Sequence, residues 1–536
     1  MKLTHEGIKK RQLWEEAGIV LPSYDVSAVA EKTKKSPLWV HFGIGNIFRV
    51  FIGGIADRLI SAGEMDRGII CVESFDYDVV DKIYAPYDNL ALSVILHNDG
   101  TKEEKVLGSL AEAVKARSSD AEQWERLKVI FRASGLQMVS FTITEKGYAL
   151  TGTDGEYLPF VLADMENGPK NAVGAMAILT AMLVERFRAG ASPLALVSMD
   201  NCSQNGSRLR SSVLTMAEEW KKRGFVDDAF ISYISDEKRV SFPWTMIDKI
   251  TPRPSEKIAE ELEKAGVEDM QPVVTSKRTY IAPFMNAEGP QYLVIEDSFP
   301  GGRPPLEKAG VYMADRDTVN KSERMKVTVC LNPIHSALAP YGCVLGYTLF
   351  SDEMKDPDML KLAHLVGDEG MAVVPDPGIL SPQAFLDECI EERFPNPYLG
   401  DTVQRIVTDI SQGVGVRFGE TVKSYVEKDG TAAALKGIPV AIAGWLRYLL
   451  AVDDEGNAFE LSPDPLNDEL QKQLTGVVLG DSSSLKEQAR GILSNENIFG
   501  IDLYKAGIGE KIEEILRSEI EEPGAVRRTV KKYLGE

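Results

Sequence analysis

The chain has 536 residues, more than one compact core usually holds, so it divides into two or more domains. Its composition, 44% hydrophobic and 26% charged with 45 glycines and 27 prolines, excludes disorder as the main state. A net charge of −21 excludes phosphate backbones and anionic lipid surfaces as general partners, while small anionic ligands in a local pocket remain compatible with it.

The opening, Met1 to Glu16, is rich in charges where a signal peptide needs an apolar core, and the longest apolar run, Ala172 to Val184, is too short to span a membrane. The segment Pro37 to Ile44 reads as a short buried strand that runs into Gly43, Gly45 and a helical pattern. A second strand, Gly68 to Ser74, follows at the spacing of a parallel βαβ unit and carries Glu73 near its end. Further strands are expected at Leu90 to Leu96, Leu136 to Thr144 and Leu194 to Asp200, with a helix over about Ala172 to Arg188 between the last two.

A Pro- and Gly-rich stretch, Ser298 to Pro305, marks the expected junction. The predicted division is residues 1–297, a Rossmann-like α/β domain with a parallel sheet, and residues 298–536, a mainly α-helical domain. Helical periodicity is read near Leu338 to Phe350, Pro357 to Val366, Ala384 to Glu392, Thr402 to Ile410, Ala432 to Val452 and Lys511 to Glu521.

Five scattered cysteines, none in C-x-x-C, suggest neither a disulfide framework nor a zinc knuckle and fit a reducing cytoplasm. Five histidines without H-x-x-x-H spacing point away from a metal site.

Three constellations carry chemistry. In the turn from His41 to Arg49, Gly43 permits a tight bend and Gly45 lets the backbone approach a pyrophosphate, which the next helix would meet with free N–H groups. Phe48 stands where the dinucleotide fingerprint has its third glycine, so a ligand-free glycine loop is the competing reading. Glu73, about thirty residues on, can accept ribose hydroxyls and would repel a 2′-phosphate, which favours NAD over NADP; a solvated strand end is its plainer role.

The second constellation is Asp200-Asn201 at a strand end with Asn205-Gly206 behind it, either a substrate-facing carboxamide or an Asx turn. Asp248, Lys249 and Arg253 among prolines read as a site or as a surface ion-pair cluster. The third runs from Glu323 and Lys326 to Asn332, Pro333 and His335: a cleft-facing set, or a lysine before a helix capped by Asn332, or both.

These motifs, with Thr144-Glu145-Lys146-Gly147-Tyr148, Phe242-Pro243 and Arg393-Phe394 with Asn396-Pro397, resemble the mannitol dehydrogenase family. Its members are long-chain, metal-independent polyol dehydrogenases that include fructuronate and tagaturonate reductases. The resemblance runs from about His41 to Arg447. Val416 to Thr421 and Phe499 to Ile512 look more like the hexuronate-reducing branch.

The resemblance implies roles. Lys326 matches the general acid or base and Glu323 a glutamate that assists proton exit. Asn201 and Asn332 match the carboxamides that hold the developing alkoxide; His335, Asp248 and Arg393 match groups that orient substrate hydroxyls. Gly43, Gly45, Asn46, Arg49 and Glu73 fall to the cofactor, NAD. A free lysine titrates near about 10.4, so Lys326 needs burial to work near neutrality.

One departure stands out. The mannitol branch has four residues between lysine and asparagine; here Lys326 and Asn332 have five. On an unbroken α-helix Lys326 and His335 would lie about 180° apart, so a bulge or break between Lys326 and Asn332 is expected.

The expected activity is NADH-dependent reduction of D-fructuronate to D-mannonate by a cytoplasmic monomer or small homo-oligomer, with Arg393 or Arg253 on the substrate carboxylate. Mannitol, arabinitol and tagaturonate are the substrates of the in-class alternatives. An NAD-retaining sugar-acid epimerase and a non-catalytic ligand sensor are the rivals from other classes.

Overall fold

A computed structural model describes residues 1–152 and 154–535. They form two compact units, one of Met1–Leu96 with Gly100–Asn320, the other of His97–Asp99 with Lys321–Glu536. The division expected after residue 297 falls at Asn320 instead, and the reason is strand pairing. Tyr312–Ala314 lies parallel to Tyr292–Glu296, which runs antiparallel to Thr245–Asp248, so the chain beyond Ser298–Pro305 still belongs to the first unit. Ser241 holds the start of that stretch by donating its hydroxyl to the carbonyl of Ser298 at 2.6 Å.

The first unit is built on six parallel strands: β1 (Trp39–Phe42), β2 (Ile69–Glu73), β3 (Leu110–Lys115), β4 (Met138–Phe141), β5 (Leu194–Ser198) and β6 (Val240–Ser241). Their order is β3-β2-β1-β4-β5-β6, the doubly wound arrangement in which the chain reverses direction across the sheet between β1 and β4. Every residue of β1, β2, β4 and β5 is buried, which is why these strands read as unbroken apolar runs.

Alternate side chains feed two cores. Val40, Phe42, Ile70 and Val72 join Trp124, Leu127, Met182 and Trp220 on one face. Trp39, Ile69 and Cys71 join Phe51, Ile55 and Leu59 on the other. The helices that supply them include α1 (Gly53–Ser61), α2 (Ala175–Arg188) and α3 (Asn205–Lys222).

The strand expected at Leu90 to Leu96 forms as Ala91–Leu96, outside the main sheet. It pairs antiparallel with Lys102–Leu107 and parallel with Phe284–Glu288. The charged Lys102–Leu107 and the polar-spaced β3 lack the long apolar run by which the other strands were read.

In the second unit α4 (Asn332–Val344) packs against Pro357–Met371 and α5 (Gly437–Tyr448), and α5 packs on α6 (Gly509–Glu519). Every residue of α5 is buried. Asn332 is the first residue of α4 and not its cap, because the chain enters from the π-helical turn Lys326–Cys330, already helical, through Leu331. Among the described residues no helix is long and apolar enough to cross a membrane.

Candidate active site

One group of the expected residues is assembled at the C-terminal edge of the parallel sheet. β1 leads into Gly43, whose φ of +87° is left-handed and whose β-carbon would lie 2.1 Å from the carbonyl of Thr142, so only glycine fits. At Gly45 the opposite holds: a β-carbon would meet nothing within 4 Å, and the backbone borders open space. Helical structure starts at Asn46, so its leading N–H groups have no preceding turn to bond. An open cradle at a helix start is the geometry that a pyrophosphate requires.

Glu73 ends β2 beside this turn. Its Oε1 accepts from the backbone N–H of Phe75 at 2.8 Å and Asp76 at 3.1 Å. Burial pushes its carboxyl above the usual range, against the N–H groups of Phe75, Asp76 and Ile44, which pull it down. The carboxylate thus shapes the turn after β2.

Arg49 does not present its charge outward. It is 1% exposed, and its guanidinium donates to Ala282 O at 2.8 Å and to Asn46 Oδ1 at 2.7 Å. Burial pulls it down to about 10, so it stays charged. Its role follows from its partners: it fixes the Asn46 carboxamide with the amide N–H₂ turned away. His41 is likewise structural, stacked on Phe48 at 4.1 Å between the hydroxyls of Ser140 and Thr142, with burial holding it neutral.

Asn201 lies just past the end of β5, on the same edge, and is exposed. The loop is held from both sides. Asp200 Oδ2 accepts from Ile143 N at 2.9 Å and from the Tyr148 hydroxyl at 2.5 Å, and Oδ1 accepts from Thr144 N at 2.9 Å. Burial raises the Asp200 carboxyl, and these three donors oppose it. Asn205, fully buried, donates to Asp200 O at 3.0 Å and exchanges hydrogen bonds with Thr245. The Thr144 to Tyr148 motif and the Asp200-Asn201 motif, far apart in sequence, are therefore one structure. Asp248 ends the strand Thr245–Asp248, which pairs with Tyr292–Glu296 and not with the main sheet.

In the second unit Glu323 lies on Arg316–Met325, and the following turn, Lys326–Cys330, is π-helical, with Leu331 N donating to Lys326 O at 3.1 Å. A π turn accommodates one residue more than an α turn. The nine-residue step from Lys326 to His335 then advances as eight would, about 80° of phase instead of about 180°. Lys326, 2% exposed, thereby lies about 80° around the helical run from His335. The expected bulge is this turn.

The His335 ring packs on Phe394 at 4.5 Å and on Phe350 at 4.8 Å, so the Arg393-Phe394 motif meets His335 directly. Arg393, 1% exposed, ends a second π turn, Cys389–Arg393, and lies over the ring of Phe385 at 5.8 Å. None of the five cysteines is in a disulfide, and among the described residues no three His, Cys, Asp or Glu side chains are grouped as a metal ion would require.

A doubly wound sheet with a glycine turn for a dinucleotide, and a lysine, asparagine and histidine on one helical run, define an oxidoreductase acting on CH–OH groups. Residues 38–308 match the mannitol dehydrogenase Rossmann domain and residues 318–518 the mannitol dehydrogenase C-terminal domain. The chain belongs to the mannitol dehydrogenase family. It is 51% identical to the D-mannonate oxidoreductase of Thermotoga maritima over 100% of this chain and 99% of the relative. A D-sorbitol dehydrogenase in substrate-free form has the same fold (TM-score 0.79, 26% identity, 96% of this chain and 98% of that one). So does the mannitol 2-dehydrogenase of Pseudomonas fluorescens, solved as a ternary complex with NAD and D-mannitol (TM-score 0.70, 24% identity, 100% of both chains).

Proposed function

We propose that this chain reduces D-fructuronate to D-mannonate with NADH. The observation that carries the chemistry is the π turn Lys326–Cys330, which offsets the extra residue before Asn332. The 51% identity with a D-mannonate oxidoreductase supports the substrate. When bound, the reduced nicotinamide supplies a hydride to the keto carbon.

Lys326 then gives a proton to the keto oxygen, and its burial removes the water that would otherwise solvate the ammonium. Asn332 donates an N–H group to that oxygen as negative charge develops on it, and need not reorganise as it does so; Asn201 is the carboxamide that the first unit offers to substrate. His335, Asp248 and Arg393 hold hydroxyls of the substrate chain, and Glu323 passes the proton between Lys326 and solvent. Gly43 and Gly45 leave room for the pyrophosphate, Asn46 opens the helix over it, and Arg49 positions Asn46 from behind. Glu73 at the ribose favours NAD over its 2′-phosphorylated form. Five cysteines outside any disulfide suit the reducing cytoplasm.

The test is NADH oxidation, followed by absorbance, with fructuronate, tagaturonate and fructose offered separately in the presence of a chelator. Fructuronate is expected to be the preferred substrate. Lys326→Ala should lower kcat by about 10²- to 10⁴-fold while NADH still binds, as read by its fluorescence. Preference for fructose would move the protein to the polyol branch. Interconversion of sugar acids without NADH consumption would make it an epimerase.

A further inference from the structure

Arg417 lies in the π turn Gly415–Gly419 of the second unit and donates from Nη1 to the Ser336 hydroxyl at 2.6 Å. No carboxylate pairs with it among the described residues, and its other N–H groups have no protein acceptor there. The neighbouring acid, Glu420, is already engaged by Lys423 at 2.8 Å and Arg324 at 3.7 Å. Burial pulls the Arg417 guanidinium below its ordinary value, with no anion to offset the loss of solvent.

A half-buried guanidinium whose one protein partner is a hydroxyl has N–H groups left over for an anion. The fold holds it in place. A β-carbon at Gly413 would lie 2.7 Å from Arg417 Cζ, so the guanidinium lies flat against a residue that has no side chain to displace it. At Gly419 a β-carbon would lie 1.8 Å from Phe499 O, which seats the π turn against the segment Phe499 to Ile512. The two stretches that look like the hexuronate-reducing branch are thus packed together.

Position gives the function. Ser336 is buried one residue beyond His335 and four beyond Asn332, one turn along the same helix. That turn is about 5.4 Å. In fructuronate the keto carbon and the carboxyl carbon are separated by four bonds of about 1.5 Å, or about 5 Å when extended. A substrate whose reacting oxygen sits at Asn332 can therefore place its carboxylate where Arg417 meets Ser336.

We propose that Arg417 binds the carboxylate of the keto-sugar acid as a bidentate partner and so selects acids over neutral ketoses. This assignment rests on the fructuronate reading above and replaces the expected partners. Arg393, over the ring of Phe385 and beside Cys389, is left to the substrate hydroxyls, and Arg253 is exposed on the first unit. Charge-assisted bidentate pairs are the strong class of hydrogen bond, and the fork is specific to arginine.

The experiment compares wild type, Arg417→Ala and Arg417→Lys at saturating NADH, with fructuronate and fructose as substrates. Arg417→Ala should raise KM for fructuronate by about 10²-fold and lower the ratio of fructuronate to fructose kcat/KM by a similar factor, with Arg417→Lys in between. Millimolar guanidinium ion should restore part of the fructuronate activity of Arg417→Ala and none of its fructose activity, a readout that a purely structural arginine would not move. If Arg417→Ala does not fold, Arg417→Lys, which keeps the charge and loses the fork, carries the same comparison. A wild type that turns over fructuronate and an Arg417→Ala variant with the same substrate ratio would overturn Arg417 alone. A wild type that reduces only neutral ketoses would overturn the substrate reading and Arg417 with it.

Discussion

Glu519 on α6 should make the second unit lose stability as pH rises, and Glu519→Gln should abolish that loss. The side chain is fully buried; its Oε1 lies 2.5 Å from the Tyr341 hydroxyl and its Oε2 has no partner. Tyr341 also lies 2.8 Å from the carbonyl of Val440. A phenol has one proton, so both contacts are satisfied only if Glu519 carries a proton and donates it to Tyr341, which then donates to Val440.

Burial accordingly pushes Glu519 from 4.5 up to about 8, against the opposing pull of Tyr341 and Arg447. The folded chain keeps this proton between those values while the unfolded chain loses it. Stability from this group therefore falls as pH rises through that window and levels off above about 8. Between pH 5.5 and 8 the slope of about 1.4 kcal/mol per unit amounts to about 3 kcal/mol, or roughly 6–12 °C in the melting temperature of a unit this size. Glutamine keeps the donor to Tyr341 without the titration. The assay is calorimetry of wild type and Glu519→Gln across that range. The difference in Tm should move in favour of the variant as pH rises, and a difference that stays constant with pH would refute the buried-acid argument.

Two further substitutions probe the first unit. Gly43→Ala places a β-carbon against Thr142 O at left-handed φ and should cost about 2–4 kcal/mol and weaken NADH binding; a melting curve that overlays wild type would contradict the turn geometry. Asp200→Asn must turn an N–H₂ toward a backbone N–H or toward Tyr148, since both carboxylate oxygens accept. It should lower stability by about 1–3 kcal/mol and, by loosening the loop that carries Asn201, lower kcat more than it raises KM.

The buried strands, the glycine turn, the order of strands and helices, and the helical second half were legible in the sequence, because each depends on periodicity or on the steric needs of a few consecutive residues. The α/β class and the positions of β1, β2, β4, β5, α2 and α5 follow from such local patterns. Lys102–Leu107 and β3 escaped because charged and polar side chains on a partly covered strand carry no long apolar run.

What the tertiary structure decided is which distant segments meet. The domain limit at Asn320 depends on Tyr312–Ala314 finding a partner strand, and the burial of Arg49 depends on Ala282. Asp200 bonds to Ile143 and Thr144 across more than fifty residues, and Arg417 reaches Ser336 across eighty-one. The π turn at Lys326 was readable only as a phase conflict. Its resolution depends on helix-to-helix packing, because a widened turn survives where neighbouring side chains fill its flank and donate to its carbonyls, as the Thr421 hydroxyl does to Thr328 O. A sequence lists the donors, acceptors and charges of a chain, and only close packing decides which of them are paired and which, like Arg417, are held in reserve for a ligand.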